Sequence, residues 1–307
     1  MQSDVKNIGV KIRELRKLQK LTQEALCETG EELSVRHLSR IERGESSPTI
    51  KVLFFIANRL SIPIAQLLDD YFFPQPLPKE FLKLKDQITL LSLCNDPNHT
   101  QKQAALFKKI DNHFYKSLPE EEKLFINAQK AISKTYLTKD ITYADDILKN
   151  YFSCIQTNET NSYTENDLLI IQLYFYSCFH KGDISDIFET LLSQVIDQTK
   201  HAVYLESIII NDILISAMDI FIHNNQYHRL MPLINASKHL MNENKFFHKQ
   251  PIVQMAEGKF YLFVQKDQKE AKRKYLKGIK IARAFNDELL SKQVTQEWEK
   301  DLQLFTS

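Results

Sequence analysis

Apolar residues recur every three or four positions along almost the whole of this 307-residue chain. That interval is the period of one face of an α-helix. Glycine, which weakens helices, occurs only 6 times, whereas the chain holds 19 phenylalanines and 12 tyrosines. The pattern predicts an all-α protein whose helices pack through aromatic side chains.

Capping residues divide the first 69 residues into five short predicted helices. Thr22 and Ser34 each stand where an N-cap is expected, at the start of a segment with helical periodicity. Gly44 ends the third helix, because glycine readily adopts the left-handed conformation found at helix ends. Ser47-Pro48 predicts a cap followed by proline at the first position of a fourth helix, and Pro63 opens a fifth.

A proline-rich segment follows, with three prolines in the last five residues of Asp69–Pro78. Proline cannot continue a helix and stiffens a chain toward an extended form. We therefore predict an N-terminal domain over 1–69, a linker over 70–79 and a C-terminal domain over 80–307.

The C-terminal part is predicted to contain about ten helices joined by short polar turns, which favours a stack of helical hairpins over an irregular bundle. The predicted helices are 102–116, 120–136, 143–155, 164–179, 184–198, 204–222, 227–242, 250–264, 268–284 and 287–304.

Charge is unevenly distributed between the two parts. Residues 1–68 contain 11 Lys and Arg against 8 Asp and Glu, a net charge of +3, although the whole chain is only +1. A mildly basic head on a neutral body fits a local surface for nucleic acid.

Several classes of protein are not expected. The cysteines Cys27, Cys94, Cys154 and Cys178 form no CxxC pair and have no metal-ligand spacing with histidine, so reduced thiols and no metal are predicted. The chain has no Gly-rich phosphate loop and no nucleophile motif, so neither enzyme activity nor a cofactor is expected. With no apolar N-terminal segment and no long apolar run, we predict a cytoplasmic protein without a membrane partner.

The N-terminal segment resembles the phage-repressor-like helix-turn-helix of the Xre family over residues 8–68. The residues that carry the resemblance are Ile8-Gly9, Ile12-Arg13, Arg16, Leu21 to Glu24, Leu26, Leu38 to Glu45 and Pro48. One extra residue precedes the third helix, and Cys27 replaces the usual alanine.

The resemblance implies that the third helix enters the major groove of double-stranded DNA. Arg36 and Arg40 are four residues apart and share one face, and arginine pairs well with guanine. Free backbone N–H groups at helix starts suit phosphates. The predicted DNA-binding residues are Thr22, Gln23, Ser34, Arg36, His37, Ser39, Arg40, Arg43, Ser47 and Thr49. For Arg13, Arg16 and Glu42, the alternative is an ion pair inside the domain.

One segment of the body resembles the tetratricopeptide (TPR) repeat. Gly258, Tyr261, Ala271, Tyr275 and Gly278 follow nearly the TPR order, with a gap between the first and second helix that is one residue too long. The resemblance implies a degenerate TPR superhelix that binds a peptide and dimerises.

A Xre-type head, a linker and a degenerate TPR body together resemble the Rgg/RNPP class of peptide-pheromone-responsive transcription regulators, and most closely its streptococcal competence regulators. Similar fragments occur in the same order: Leu26-Cys27, 32–36, 118–122, 166–169 and Asn211-Asp212. The resemblance implies a regulator, activating rather than repressing, that binds a palindromic promoter site as a homodimer. Binding is triggered when a short imported hydrophobic peptide occupies the TPR groove.

The same resemblance implies the residues of the groove. Asn211, with Asp212 beside it, would bind the peptide backbone, and Tyr174 and Tyr176 would line the groove. Gln103 stands where close relatives carry a basic residue. Without the resemblance, the aromatic cluster Tyr174-Phe175-Tyr176 is typical of a hydrophobic core. A buried Asn211 would then need a hydrogen bond to a neighbouring helix.

A further implication is an inhibitory latch in which Arg36 pairs with Glu120 until peptide binds. The acidic triplet that begins at Glu120 is equally well explained by the dipole of a helix start. Two other functions stay open: a head bound to DNA with a body that docks a protein, and a repressor relieved by a small molecule.

Overall fold

The computed structural model describes residues 2–28, 30, 32–64, 67, 77–91, 99–138, 140–156, 162–181 and 184–306. Within these residues the chain forms helices and turns and no strand, which confirms the predicted all-α class. The contacts divide the chain into two units, 1–78 and 79–307. We call them the head and the body.

The head contains four helices in its described part: α1 (Gln2–Leu18), α2 (Gln23–Cys27), α3 (Val35–Glu42) and α4 (Ile50–Arg59). They enclose one apolar core, built from Ile12, Leu26, Leu33, Leu38, Ile41, Leu53, Ile56 and Leu60. Of the predicted fifth helix, positions 63, 64 and 67 are described: 64 and 67 are helical, whereas Pro63 itself lies just before the helix. Residues 70–76 of the predicted linker lie outside the described residues.

The starts of α2 and α3 follow the predicted caps. The Thr22 hydroxyl accepts a hydrogen bond from the Ala25 backbone N–H at 3.1 Å, and Ser34 does the same for His37 at 3.2 Å. The predicted start of the fourth helix is wrong by two residues. Its cap is Thr49, because that residue has extended backbone and its hydroxyl accepts from the N–H of Val52.

Gly9 lets α1 cross closely over the end of α3. A Cβ atom at this position would lie 1.9 Å from the carbonyl oxygen of Ile41, which no side chain can tolerate. The glycine in the Ile8-Gly9 pair of the sequence motif is therefore a packing requirement at the centre of the head.

The described part of the body contains eleven α-helices in sequence order. They are α5 (Lys79–Leu91), α6 (His99–His113), α7 (Glu120–Thr138), α8 (Thr142–Gln156), α9 (Glu165–Lys181), α10 (Asp186–Gln198), α11 (Tyr204–His223), α12 (Leu230–Asn244), α13 (Gln250–Phe263), α14 (Gln268–Ala284) and α15 (Glu288–Thr306). Short 3-10 turns, Tyr115–Ser117 and Tyr227–Arg229, precede α7 and α12. None of the described helices is both long enough and apolar enough to cross a bilayer.

Helix α5 is not among the helices predicted above. Its signal was present, because Phe81, Leu84 and Ile88 are spaced by three and four residues and all three are buried. Helix α12 was predicted to begin at 227. In the structure a 3-10 turn occupies Tyr227–Arg229, and the α-helix begins at Leu230.

Helix α11 lies at the centre of the body. Twelve of its twenty residues are buried, and it packs against α5, α9, α12 and α13. A helix that is apolar on all sides belongs in an interior. Polar residues on such a helix therefore require an explanation.

The α13–α14 pair is packed as the TPR-like residues predict. A Cβ at Gly258 would lie 2.6 Å from the ring of Tyr275, and one at Gly278 would lie 3.0 Å from the carbonyl oxygen of Pro251. Tyr275 is fully buried, and its hydroxyl donates to Asp301 of α15. The same carboxylate accepts a hydrogen bond from Lys259 at 2.5 Å.

Candidate functional site

The candidate DNA-binding face lies on α3. Arg36 and Arg40 are exposed there, and so is Arg43, the C-cap directly after the helix. The Arg43 guanidinium is the most constrained, because its Nε donates to the Ser39 carbonyl at 3.2 Å and an Nη lies 3.2 Å from Glu45. The face therefore presents three permanent positive charges on and directly after the helix that a helix-turn-helix inserts into the major groove.

A buried ion pair supports this face from inside the head. Arg16 donates to both carboxylate oxygens of Glu42, at 2.6 and 2.8 Å, and to the Leu21 carbonyl at 2.8 Å. Gln23 donates to the same carboxylate at 2.8 Å. Burial raises the pKa of Glu42, but the hydrogen bonds from Arg16 and Gln23 lower it by a larger amount. The net pKa is therefore below its ordinary value.

The alternative of an ion pair inside the domain is thus observed for Arg16 and Glu42. Arg13 is exposed, and it lowers the pKa of Glu42 only through its charge. Gln23, predicted to contact DNA, has its amide directed at Glu42 in this structure. Because Glu42 is the last residue of α3, the ion pair fixes the position of the helix that carries the exposed arginines.

The remaining predicted DNA contacts surround α3. Thr22 and Thr49 are exposed, and their hydroxyls already cap helices; Ser47 is also exposed. The ring of His37 is half-buried, with its Nε2 atom 3.4 Å from the Ser46 hydroxyl. These residues remain predicted rather than demonstrated DNA contacts.

The body brings Tyr176 and Asp212 together where α9 meets α11. Burial raises the pKa of Tyr176, the Asp212 carboxylate raises it further, and hydrogen bonds with Gln172 and Ser216 only partly oppose the rise. The Gln172 amide lies 3.5 Å from the Tyr176 hydroxyl, and the Ser216 hydroxyl donates to the Asp212 carbonyl at 2.9 Å. This cluster is polar and lies between two largely apolar helices.

Asn211 faces α12, the neighbouring helix. Its Oδ1 atom accepts a hydrogen bond from the Ser237 hydroxyl at 2.5 Å, and both residues are fully buried. One turn earlier, Asn244 donates to Ser207 at 3.1 Å, so the two pairs form a polar ladder between α11 and α12. The Asn211 Nδ2 atom is buried and has no partner among the described residues.

Tyr174 and Gln103 lie apart from these two clusters. The ring of Tyr174 stacks on Phe152 at 4.3 Å, and its hydroxyl lies 2.8 Å from that of Ser185. Residues two apart on a helix point in nearly opposite directions, so Tyr174 and Tyr176 do not face the same space. Gln103 is buried and accepts a hydrogen bond from Ser133 at 2.6 Å.

Three residues that contact the candidate groove residues are not among the predicted site residues: Gln172, Ser216 and Ser237. A signal for them existed, since each is a buried polar residue in an apolar helix and must find a partner. The sequence could not say which partner each would find. The two members of the predicted latch belong to separate units: Arg36 is exposed on α3, and Glu120 accepts a hydrogen bond from Lys123 within α7.

Two family models match this chain. One, described as ComR tetratricopeptide, matches residues 78–298, and the other, described as helix-turn-helix, matches residues 12–67. A search of curated proteins found no match. The expected helix-turn-helix and TPR-like parts are both confirmed by these matches.

Solved structures are similar over nearly the full length of the chain. ComR from Streptococcus suis is 28% identical with a TM-score of 0.60, and the match covers 97% of this chain and 96% of that one. ComR from Streptococcus vestibularis, solved with its cognate signalling peptide XIP, is 26% identical with a TM-score of 0.63 and coverage of 96% and 98%.

ComR from S. thermophilus, solved in complex with DNA and its signalling peptide ComS, is 24% identical with a TM-score of 0.65. That match covers 96% of this chain and 99% of the other. At this identity the likeness establishes a shared fold.

Proposed function

Because this chain belongs to the ComR tetratricopeptide family, we propose that it is a cytoplasmic transcription regulator that binds a palindromic promoter site as a homodimer when a short hydrophobic peptide occupies its body. The observation that carries the proposal is the combination, in one chain, of a helix-turn-helix match at 12–67 and a ComR tetratricopeptide match at 78–298. The solved ComR proteins of S. thermophilus and S. vestibularis were captured with signalling peptides, and the first of them also with DNA.

In the head, Arg36 and Arg40 are suited to read base edges, because both are exposed and lie one turn apart on α3. A bidentate arginine–guanine contact contributes about 1–3 kcal/mol of discrimination. Two such residues on a monomer give weak binding, so specific recognition requires two heads on one palindrome. Any signal that changes dimerisation therefore changes DNA binding strongly.

In the body, Asn211 offers the clearest donor for a peptide backbone. A buried polar atom without a partner is costly, and a peptide carbonyl that reached it would remove that cost. The Tyr176–Asp212 cluster on the adjoining side of α11 provides further polar groups among apolar surroundings. This is the lining expected of a site for a short hydrophobic peptide, with few polar groups that fix its orientation.

The function is tested by measuring binding of the full chain to DNA from upstream of its own gene, by fluorescence anisotropy, with and without short hydrophobic peptides. We expect one peptide class to raise DNA affinity by at least about tenfold and to convert the protein to a dimer, as mass by light scattering would report. DNA affinity that ignores every peptide, together with capture of a protein or small molecule by the body, would instead support one of the two alternative regulators.

The role of Asn211 is tested by a matched pair of variants. Asn211→Ala removes both the Ser237 bond and the free amide donor, whereas Ser237→Ala removes the same bond and keeps the donor. We expect Asn211→Ala to lose peptide-dependent DNA binding and Ser237→Ala to retain most of it. Equal losses in the two variants would show that Asn211 acts only in holding α11 against α12.

The latch is tested in the absence of peptide. If Arg36 pairs with Glu120 in the resting protein, Glu120→Ala should raise peptide-free DNA affinity. Glu121→Ala is the control, because it removes the same charge from the same helix start. An unchanged affinity in Glu120→Ala, or an equal rise in both variants, would remove the latch from the mechanism.

A further inference from the structure

A polar cavity of about 260 Å³ opens between α12, α13 and α14. None of the predicted DNA-binding or peptide-binding residues lines it. The lining residues that matter for its chemistry are Lys238, Gln254, Glu257, Lys274 and Lys277. These residues come from three separate helices, so the cavity exists only in the folded body.

A buried carboxylate organises one wall of the cavity. Glu257, only 4% exposed, accepts a hydrogen bond from Lys274 at its Oε1 atom, at 2.8 Å, and its Oε2 atom lies 2.7 Å from the Lys238 ammonium in an ion pair. Burial raises its pKa, but the two lysines lower the pKa more, and the net value is below the ordinary one. Glu257 is therefore ionised at neutral pH, and it holds two ammonium groups in fixed positions.

The cavity carries more positive than negative charge. Three lysines line it against the single carboxylate, which gives a net charge of +2. Lys277 is exposed, and it forms no ion pair within the described part of the body. It lies on α14, whose 17 residues include seven Lys and Arg and one Glu. The field at this site favours an anion.

Gln254 adds a requirement that a simple anion does not meet. It is 1% exposed, lines the cavity, and its Oε1 atom has no hydrogen-bond partner among the described residues. A buried amide oxygen needs a donor. The occupant should therefore offer acceptor oxygens to the lysines and an O–H group to Gln254.

A phosphate group that retains one proton meets both requirements. A phosphate monoester has its second pKa at about 6, so near that pH it carries both an O–H donor and charged acceptor oxygens. Sulfate carries similar charge but no donor. We propose that this cavity binds the phosphate of a small phosphorylated molecule or inorganic phosphate, at a site distinct from those for DNA and peptide.

The proposal is tested by isothermal titration calorimetry on the full chain at pH 6 and constant ionic strength, without DNA or peptide. Inorganic phosphate, glycerol 3-phosphate and sulfate are compared. We expect saturable one-to-one binding of a phosphate probe and at least about tenfold weaker binding of sulfate. The stronger of the two phosphate probes tells free phosphate from a phosphate monoester as the occupant. Equal affinity for sulfate and phosphate, or no saturable binding, overturns the proposal.

Three variants locate the site. Lys277→Met should weaken phosphate binding about tenfold, because it removes a charge-assisted hydrogen bond. Lys280→Met is the control, since it removes a charge from the same exposed surface of α14 without touching the cavity. Gln254→Met should abolish the preference for phosphate over sulfate. Equal weakening by Lys277→Met and Lys280→Met would assign the binding to the general charge of α14 and overturn the cavity site.

Thermal unfolding of each variant without phosphate checks the fold. Lys277 is exposed, so its replacement should leave the midpoint of thermal unfolding unchanged. Lys238→Met provides a second cavity variant, on α12 rather than α14. Because these measurements contain neither DNA nor peptide, their failure leaves the proposed regulator untouched, and failure of peptide activation leaves the phosphate site untouched.

Discussion

The head and the body each contain a close helix crossing with a glycine at the point of contact, but an added Cβ atom would meet a different obstacle at each of the two. At Gly9 in the head, an added Cβ would lie 1.9 Å from a backbone carbonyl of α3. At Gly258 in the body, it would lie 2.6 Å from the ring of Tyr275. A backbone atom of a packed helix cannot move alone, whereas a side chain can tilt.

The difference follows from how each unit is built. The head packs its described helices around one small core, so the α1–α3 crossing also sets the position of the DNA-reading helix. In the body, most contacts join helices that are one or two positions apart in the sequence, so strain at one pair is shared with its neighbours. A single substitution at a helix crossing should therefore lower the stability of the head more than that of the body.

Replacing the two glycines by alanine gives the largest expected effects. Gly9→Ala forces α1 away from α3 and opens the core at Ile12, so we expect a loss of about 4 kcal/mol or more, at the upper end for one substitution. Gly258→Ala should cost about 2 kcal/mol, as overpacking usually does. Hydrogen–deuterium exchange in 8–60 and in 250–284 measures each effect locally.

The control for Gly9→Ala is Val10→Ala, a change at an exposed position of the same helix that should leave exchange in the head unchanged. If Gly258→Ala accelerates exchange as strongly as Gly9→Ala, then the body is no more tolerant than the head, and the proposed contrast between them is wrong.

Buried ion pairs give the second prediction. Arg16→Met leaves the Glu42 carboxylate buried with only Gln23 to satisfy it, so the head should lose about 3 kcal/mol. Urea unfolding monitored by exchange in α1 and α3 measures the loss. The double variant Arg16→Met with Glu42→Met, which removes both charges, should recover part of it. No recovery would mean that the arginine stem, rather than the charge, supports the packing.

The same pair predicts a response to acid. The folded-state pKa of Glu42 lies below its ordinary value of 4.5, so its contribution is present above pH 4.5 and is lost as the pH falls through the lower folded value. Stability measured between pH 7 and pH 3 should therefore fall less steeply in the double variant than in the wild-type head.

The sequence predicted most of the head because its signals are local. Thr22 and Ser34 are caps that act within three residues, and both are observed. Thr49 was missed as a cap because Ser47-Pro48 offered an equally good local signal, and only the geometry of the turn decides between them. In the body, the residues that fill a site come from distant segments. Asn211 was predicted, but its partner Ser237 is 26 residues away.

The lysine cavity lay beyond the reach of sequence reasoning for the same reason. Lys238, Glu257 and Lys274 are separated by 19 and 17 residues, and each alone reads as a solvated charge. Their association depends on the register of three packed helices. The apolar periodicity predicts that those helices exist, but it does not determine the rotation of each helix about its axis to within one residue.

The smallest expected effect concerns the far end of the body, where Tyr275 donates to Asp301 beside Lys259. Burial and the Asp301 charge raise the pKa of Tyr275 above its ordinary value of 10.0, so its contribution is complete below pH 10 and is lost as the pH rises further. Tyr275→Phe removes one hydrogen bond, and Lys259 still satisfies the carboxylate, so we expect a loss of about 1 kcal/mol at pH 7. Between pH 9 and pH 11, exchange in α13–α15 should accelerate more in the wild type than in Tyr275→Phe. Parallel curves would show that the pKa of Tyr275 is the same in the folded and the unfolded chain, and the contrast between the head and the body would then depend on the glycine crossings alone.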